Sequence, residues 1–290
     1  MSPKLFPAVL RNSLVAEVTL GHNSETLYPR SLTEVSCVFL QQPEPTSADL
    51  QFYLFGTHVR VHPLFWLMSA IFGWDFLSLG FQYLLIWMVC VFVSILLHEF
   101  GHVFMGRLLG SEGHIVLHSF GGLAIGSNNF ANPWKRIAVS LAGPFAQFGL
   151  YGLLLLVPTG SKLQLDYPSM AMWCLREINF FWPLLNLLPV FPLDGGQVVR
   201  DFLSVFVPSR AVRASLTISA TVAGAIALNS LSAYYKGPHI PWVYTGGLYT
   251  AIFFGMMTVA NVQALNQDME RQRWVDDHRV YYDDDRGGWR

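Results

Sequence analysis

The chain has 290 residues, of which 52% are hydrophobic and only 13% charged, with a formal net charge of -1. That charged fraction is about half the value of ordinary soluble domains, which argues against a water-soluble globular protein and for a polytopic membrane protein. The near-zero balance, with charge gathered between the apolar runs and at the C-terminus, offers no surface for nucleic acid. Cys37, Cys90 and Cys174 lack CxxC spacing and carry no chemistry in this reading.

In chain order, residues 1–50 mix polar residues with Pro3, Pro7, Pro29, Pro43 and Pro45 and hold neither a long apolar run nor a cleavable signal pattern. They read as a partly disordered N-terminal extension. The first apolar stretch runs from Val61 to Phe81, and the second from about Phe81 to Leu109. Glycines and β-formers from Gly113 to Gly126 predict a short hairpin, on which His114 and His118 are polar residues of a pleat and no part of a site. A third span from about Pro133 to Val157 is kinked at Gly143-Pro144, and a loop to about Tyr167 follows. The fourth begins near Met170, contains Asn179 and Asn186, and breaks at Leu188-Pro-Val-Phe-Pro-Leu-Asp-Gly-Gly-Gln197. The fifth and sixth cover about Val212 to Leu231 and Trp242 to Val262. The expected fold is thus an all-α polytopic membrane protein with about six transmembrane helices and a short membrane-associated β-hairpin. The extension 1–50 precedes a six-span domain over 51–265, and 266–290 form a charged cytoplasmic tail with Asp283-Asp284-Asp285.

An even number of spans puts both termini on one side. With the termini inside, only Lys162, Arg176 and Lys236 of the eighteen basic residues fall outside, so the positive-inside bias places both termini in the cytoplasm. The ends of spans two and four, and with them His102 and Asp194, then face the cytoplasmic side.

His98-Glu99-Phe100-Gly101-His102 sets three ionisable groups at the end of an apolar span, where each needs a partner or a task. On a helix the i and i+4 histidines share a face, while Glu99 points about 100° round from His98. Both rings can bind one ion, with the carboxylate beside it to take a proton from water rather than fill a coordination position, the geometry of a zinc peptidase. Asp194 is the candidate third ligand. Two prolines and two glycines interrupt the helix around it, and non-helical backbone at membrane depth belongs where it is buried in protein or lines a wet cavity. A helix-capping role is the alternative for Asp194. Asp201, just past the broken segment, has no part in the expected site.

These residues resemble a family. His98-Glu-Phe-Gly-His102 on one span, with Asn186-Leu-Leu-Pro-Val-Phe-Pro-Leu-Asp194-Gly-Gly on a later one, are similar to the motif pair of the site-2 protease family of intramembrane zinc metalloproteases. The resemblance extends over roughly Phe52 to Val262 and takes in Val61-His-Pro63, Leu141-Ala-Gly-Pro144 and Asn179. It implies one zinc ion per chain held by His98, His102 and Asp194, with Glu99 as catalytic base and Asn179 and Asn186 as polar groups positioning the substrate. The implied partners are the lipid bilayer and a membrane-protein helix, cleaved in or near its transmembrane segment, and the pattern sets no oligomeric state. Gln147 stands where members often have asparagine, a departure that bears on local packing. The loops are too short for a PDZ insertion and the tail too short for a CBS pair, so the expectation is a minimal branch. Two rival readings use the same spans. One is a zinc peptidase class that takes a later glutamate as third ligand, against which the Leu-Asp-Gly setting of Asp194 argues. The other is an inactive metal-binding or helix-binding homologue, which would have no need of Glu99.

Overall fold

The computed structural model describes residues 44–119, 121–157, 166–236 and 247–285. The extension expected over 1–50 lies outside them as far as residue 43, as do the loop 158–165, the start of the expected sixth span up to 246, and the tail beyond 285.

The described chain opens with two strands that the hydrophobic runs did not announce. β1 (Leu50–Leu54) and β2 (Thr57–Val61) pair antiparallel across a two-residue turn, Phe55-Gly56. Both turn residues have positive φ, 49° and 69°, as the tight hairpin turns compatible with strand twist require. The hairpin expected near 113–126 is present as β3 (His114–His118) and β4 (Gly121–Ile125). β3 joins β2 in parallel, Val59 opposite Ile115 and Val61 opposite Leu117, which gives one sheet in the order β1-β2-β3-β4. A parallel pair needs a long crossover. Here it is made by α1 (Pro63–Phe72), a 3-10 turn over Trp74–Leu79, and α2 (Phe81–Leu108).

The inner face of the sheet packs on that crossover. Val59, Val61, Ile115 and Leu117 are buried against Phe65 of α1 and Ile95, Leu96, Phe100 and Val103 of α2. The sheet therefore covers the turns of α2 that carry His98 and His102. Arg107 at the end of α2 donates to the carbonyls of Phe55 and Gly56 at 2.8 and 2.9 Å, tying the first hairpin to the same helix.

The helices continue with α3 (Pro133–Leu155), α4 (Tyr167–Asn186), α5 (Asp194–Phe206), α6 (Ala211–Lys236) and α7 (Gly247–Asp285). Among the described residues, α2, α3, α6 and α7 are long and apolar enough to cross a bilayer, and the molecule is an integral membrane protein. The expected first span differs. Val61 belongs to β2, Gly73 ends α1, and the 10 residues of α1 reach only about 15 Å, half the hydrocarbon thickness. α4 has 20 residues, about 30 Å, and is more polar because it carries Arg176 and Glu177. Arg176 donates to the carbonyls of Leu154 and Val157 at 2.6 and 2.7 Å, closing the C-terminal end of α3. The charged tail is no separate element as far as Asp285, since α7 runs through it as one helix of 39 residues.

Candidate metal centre

His98 and His102 lie on successive turns of α2 with ring centroids 4.7 Å apart and planes at 79°. Their Nε2 atoms are 3.1 Å apart. Asp194, the first residue of α5, brings Oδ2 to 3.0 Å from His98 Nε2 and Oδ1 to 3.4 Å from His102 Nε2. All three side chains are buried, and they form the one set of three or more candidate ligands among the described residues whose atoms converge within 4.8 Å.

What lies behind each ring shows which nitrogen carries the proton. Gln147 donates its Nε2 hydrogen to the Ser94 carbonyl at 3.1 Å, which turns its Oε1 toward His98 Nδ1 at 2.9 Å. His102 Nδ1 lies 2.7 Å from the Val139 carbonyl. Both partners are acceptors, so both Nδ1 atoms must donate and a neutral ring then points an unprotonated Nε2 inward. With both rings neutral, two nitrogen lone pairs and a carboxylate face one another, and Asp194 Oδ2 has no hydrogen-bond donor. Buried acceptors in such contact are costly unless a cation sits among them. A tetrahedral zinc ion with bonds near 2.0 to 2.1 Å holds its ligands about 3.3 Å apart, which matches these separations. The residues fit the metal.

Asp194 reaches this point because the chain breaks before it. The helix-cap position is Leu193, and Asp194 makes no capping hydrogen bond, so the capping alternative does not describe its role. Phe191 in the broken segment is held from two helices: its N–H donates to Ser219 Oγ of α6 at 2.9 Å, and its carbonyl accepts from Asn261 Nδ2 of α7 at 2.7 Å. Val190 beside it is fully buried among Ala223, Phe254 and Met257. The backbone of a segment without helical hydrogen bonds is satisfied by side chains, which fixes where α5 begins.

Glu99 is buried beside the cluster, within electrostatic range of both histidines and Asp194, but outside the converging set. It sits against the sheet. A Cβ placed on Gly122 of β4 would lie 2.3 Å from Glu99 Cγ and 2.5 Å from Oε1. Glycine at 122 is what lets β4 pass over the carboxylate.

No family model matches the chain. The structure is similar to the site-2 protease from Methanocaldococcus jannaschii, with a TM-score of 0.51 at 20% identity over 75% of this chain and 95% of that one. In sequence it is 34% identical over 163 residues to a Synechocystis sp. protein bearing a zinc metalloprotease name, sll0528, matching 52% of this chain and 42% of that protein. It is 29% identical over 156 residues to zinc metalloprotease MJ0392 of Methanocaldococcus jannaschii, 53% of this chain and 44% of that one. It is also 27% identical over 166 residues to stage IV sporulation protein FB of Bacillus subtilis, 52% and 49% respectively. The chain has the fold of that site-2 protease, and about half of its sequence is similar to proteins named as zinc metalloproteases. It spans less than half the length of these sequence relatives, 42 to 49%.

Asn179 is fully buried, and its amide donates to Ser94 Oγ and the Leu175 carbonyl, both at 2.8 Å. Asn186 is partly buried and donates to the Trp182 carbonyl at 3.1 Å. Neither contacts the converging ligand atoms. His114 and His118 lie on β3, away from the ligand cluster.

Two residues at the site have roles there that the sequence reading did not assign to them. Gln147 stood out as a departure from the family pattern, yet nothing local said that it reaches His98. Gly143 is the other: a Cβ there would lie 2.3 Å from His102 Nε2 and 2.9 Å from His98 Nε2. α3 can lie against the histidines because that position has no side chain. Asp201 is no surface acid either. It is 1% exposed and pairs with Arg136 Nε of α3 at 3.0 Å and Arg200 Nε at 3.4 Å. Asp201→Asn is expected to cost about 2 kcal/mol, because a charge-assisted hydrogen bond between α3 and α5 is weakened. The metal content of the folded fraction should not change. Thermal unfolding in detergent, with metal analysis on the same samples, reads both, and a loss of metal without a loss of stability would place Asp201 in the site.

Proposed function

We propose that this protein is an intramembrane zinc metalloendopeptidase that hydrolyses peptide bonds in or near the transmembrane segments of membrane-protein substrates. The observation that carries the proposal is the convergence of three ligand atoms from His98, His102 and Asp194, with Glu99 adjacent but not among them. The zinc metalloprotease names of the sequence relatives support the same reading.

In this reading His98, His102 and Asp194 hold one zinc ion per chain. Zinc bound there supplies Lewis acidity, which brings water toward ionisation at neutral pH and polarises a carbonyl. Glu99 accepts the proton from the attacking water and returns it to the departing amine nitrogen, so that the C–N bond breaks without net proton release. A carboxylate free of metal and held under Gly122 suits that exchange.

The substrate must present an extended carbonyl, because a helix hides its own in hydrogen bonds. β4 ends the sheet, and its outer edge is unpaired within it. A segment adding to that edge as a further strand would run past Gly122 and so past Glu99. Asn186 spends one amide hydrogen on Trp182 and retains the other with its oxygen for a substrate backbone. The basic-residue bias supports cytoplasmic termini and a site opening to the cytoplasm.

Purified protein is expected to hold about one zinc per chain. Asp194→Asn should lower that content, because a neutral amide oxygen is a poorer ligand for a dication than a carboxylate. Metal analysis after mild purification tests both, and a stoichiometry near zero, or one indifferent to replacing His98 and His102 together, overturns the reading.

A further inference from the structure

Behind the metal-facing side of His98 lies a group of fully buried polar residues. His98 Nδ1 meets Gln147 Oε1 at 2.9 Å, Gln147 Nε2 donates to the Ser94 carbonyl at 3.1 Å, and Ser94 Oγ accepts from Asn179 Nδ2 at 2.8 Å. Gln147, Ser94 and Asn179 are each 0% exposed, and they come from α3, α2 and α4. A fully buried glutamine in an apolar bundle is retained only when its groups are satisfied. Here both ends are used, and one end is spent on a ligand ring.

Resting on the metal reading above, we propose that Gln147 is a positioning residue for zinc binding. It fixes His98 as the Nδ1–H tautomer and aims Nε2 at the metal, and the Ser94 main-chain carbonyl holds the glutamine amide in the one orientation that can accept. If the amide turned over, its NH2 would face Nδ1, the ring proton would be driven to Nε2, and His98 could not ligate. The bond from Gln147 to Ser94 forbids that turn.

Length matters as well as chemistry. Asparagine at 147 would withdraw the acceptor by about 1.5 Å, one carbon–carbon bond, and break the contact. α3 cannot move in to compensate, because Gly143 already lies against the rings, where even a Cβ would come within 2.3 Å of His102 Nε2. In this chain the distance between α3 and α2 therefore calls for glutamine.

The test is zinc affinity of the full-length chain in detergent, measured by competition with a chromophoric chelator, together with thermal unfolding of the metal-free form. Gln147→Met, similar in length but unable to accept from Nδ1, and Gln147→Asn, too short, should each bind zinc roughly 10- to 100-fold more weakly than the parent. Gln147→Glu keeps an acceptor toward His98 and should retain affinity close to the parent's. Parent affinity in the Met and Asn variants, even with a lowered unfolding midpoint, would make Gln147 a packing residue and overturn the proposal, as would a Glu variant as weak as the Met variant. A parent chain that holds no zinc would overturn the metal reading along with it, so the two failures are distinguishable.

Discussion

Glu99→Gln is expected to keep the metal and the fold while lowering peptide cleavage roughly 10²- to 10⁴-fold, the usual weight of a lost general base. The amide has the shape of the carboxylate, so it still fits beneath Gly122, and the three ligand side chains are untouched. What it loses is the ability to take a proton from water. The measurement pairs zinc content with cleavage of a single-span reporter reconstituted in the same vesicles. Retained zinc with lost cleavage separates base from ligand. If the variant lost zinc as well, Glu99 would be a ligand, and cleavage near the parent rate would move the base to another residue.

The second large effect comes from a substitution that is ordinarily benign. In a helix interior Gly→Ala gains about 1 kcal/mol, so Gly143→Ala should stabilise α3 on propensity alone. Here the added methyl would lie 2.3 Å from His102 Nε2, 2.6 Å from its Cε1 and 2.9 Å from His98 Nε2. The rings cannot swing aside without giving up the Val139 carbonyl and Gln147 behind them. Gly143→Ala should therefore weaken zinc binding by more than about tenfold, at least the scale seen when a ligand's outer support is lost. Gly149 of the same helix provides the comparison, since a Cβ there meets nothing within 4 Å. Gly149→Ala should leave zinc affinity unchanged and raise the unfolding midpoint. Equal zinc affinity in the two variants would mean that α3 does not press on the ligands.

Patterns along the chain were enough for the parts of this protein whose partners lie within one or two turns or strands. The i, i+4 spacing on a span made His98 and His102 a pair and set Glu99 to one side, because helical geometry is local. Prolines and glycines around Asp194 announced a broken helix before the break was seen, and alternation with glycine announced β3 and β4. Period-two alternation was also present at Phe52, Leu54, Val59 and Val61, but the neighbouring apolar run pulled Val61 into a span. The antiparallel pairing of β1 with β2, and the parallel pairing of β2 with β3 across the whole crossover, make those residues strand.

The tertiary structure decided everything that depends on two distant segments meeting. The broken segment made Asp194 the candidate third ligand, but that α6 and α7 hold Phe191, and with it the start of α5, is a tertiary contact outside residues 188–197. That Gln147 supports a ligand, that Gly143 makes room for two, and that Asp201 pairs with Arg136 of α3 are facts of helix packing, where hydrogen-bond reach is a few ångströms and sequence separation is irrelevant. Composition and periodicity record which face of an element is apolar. They do not record the interhelical distance that makes glutamine the right length and glycine the right size.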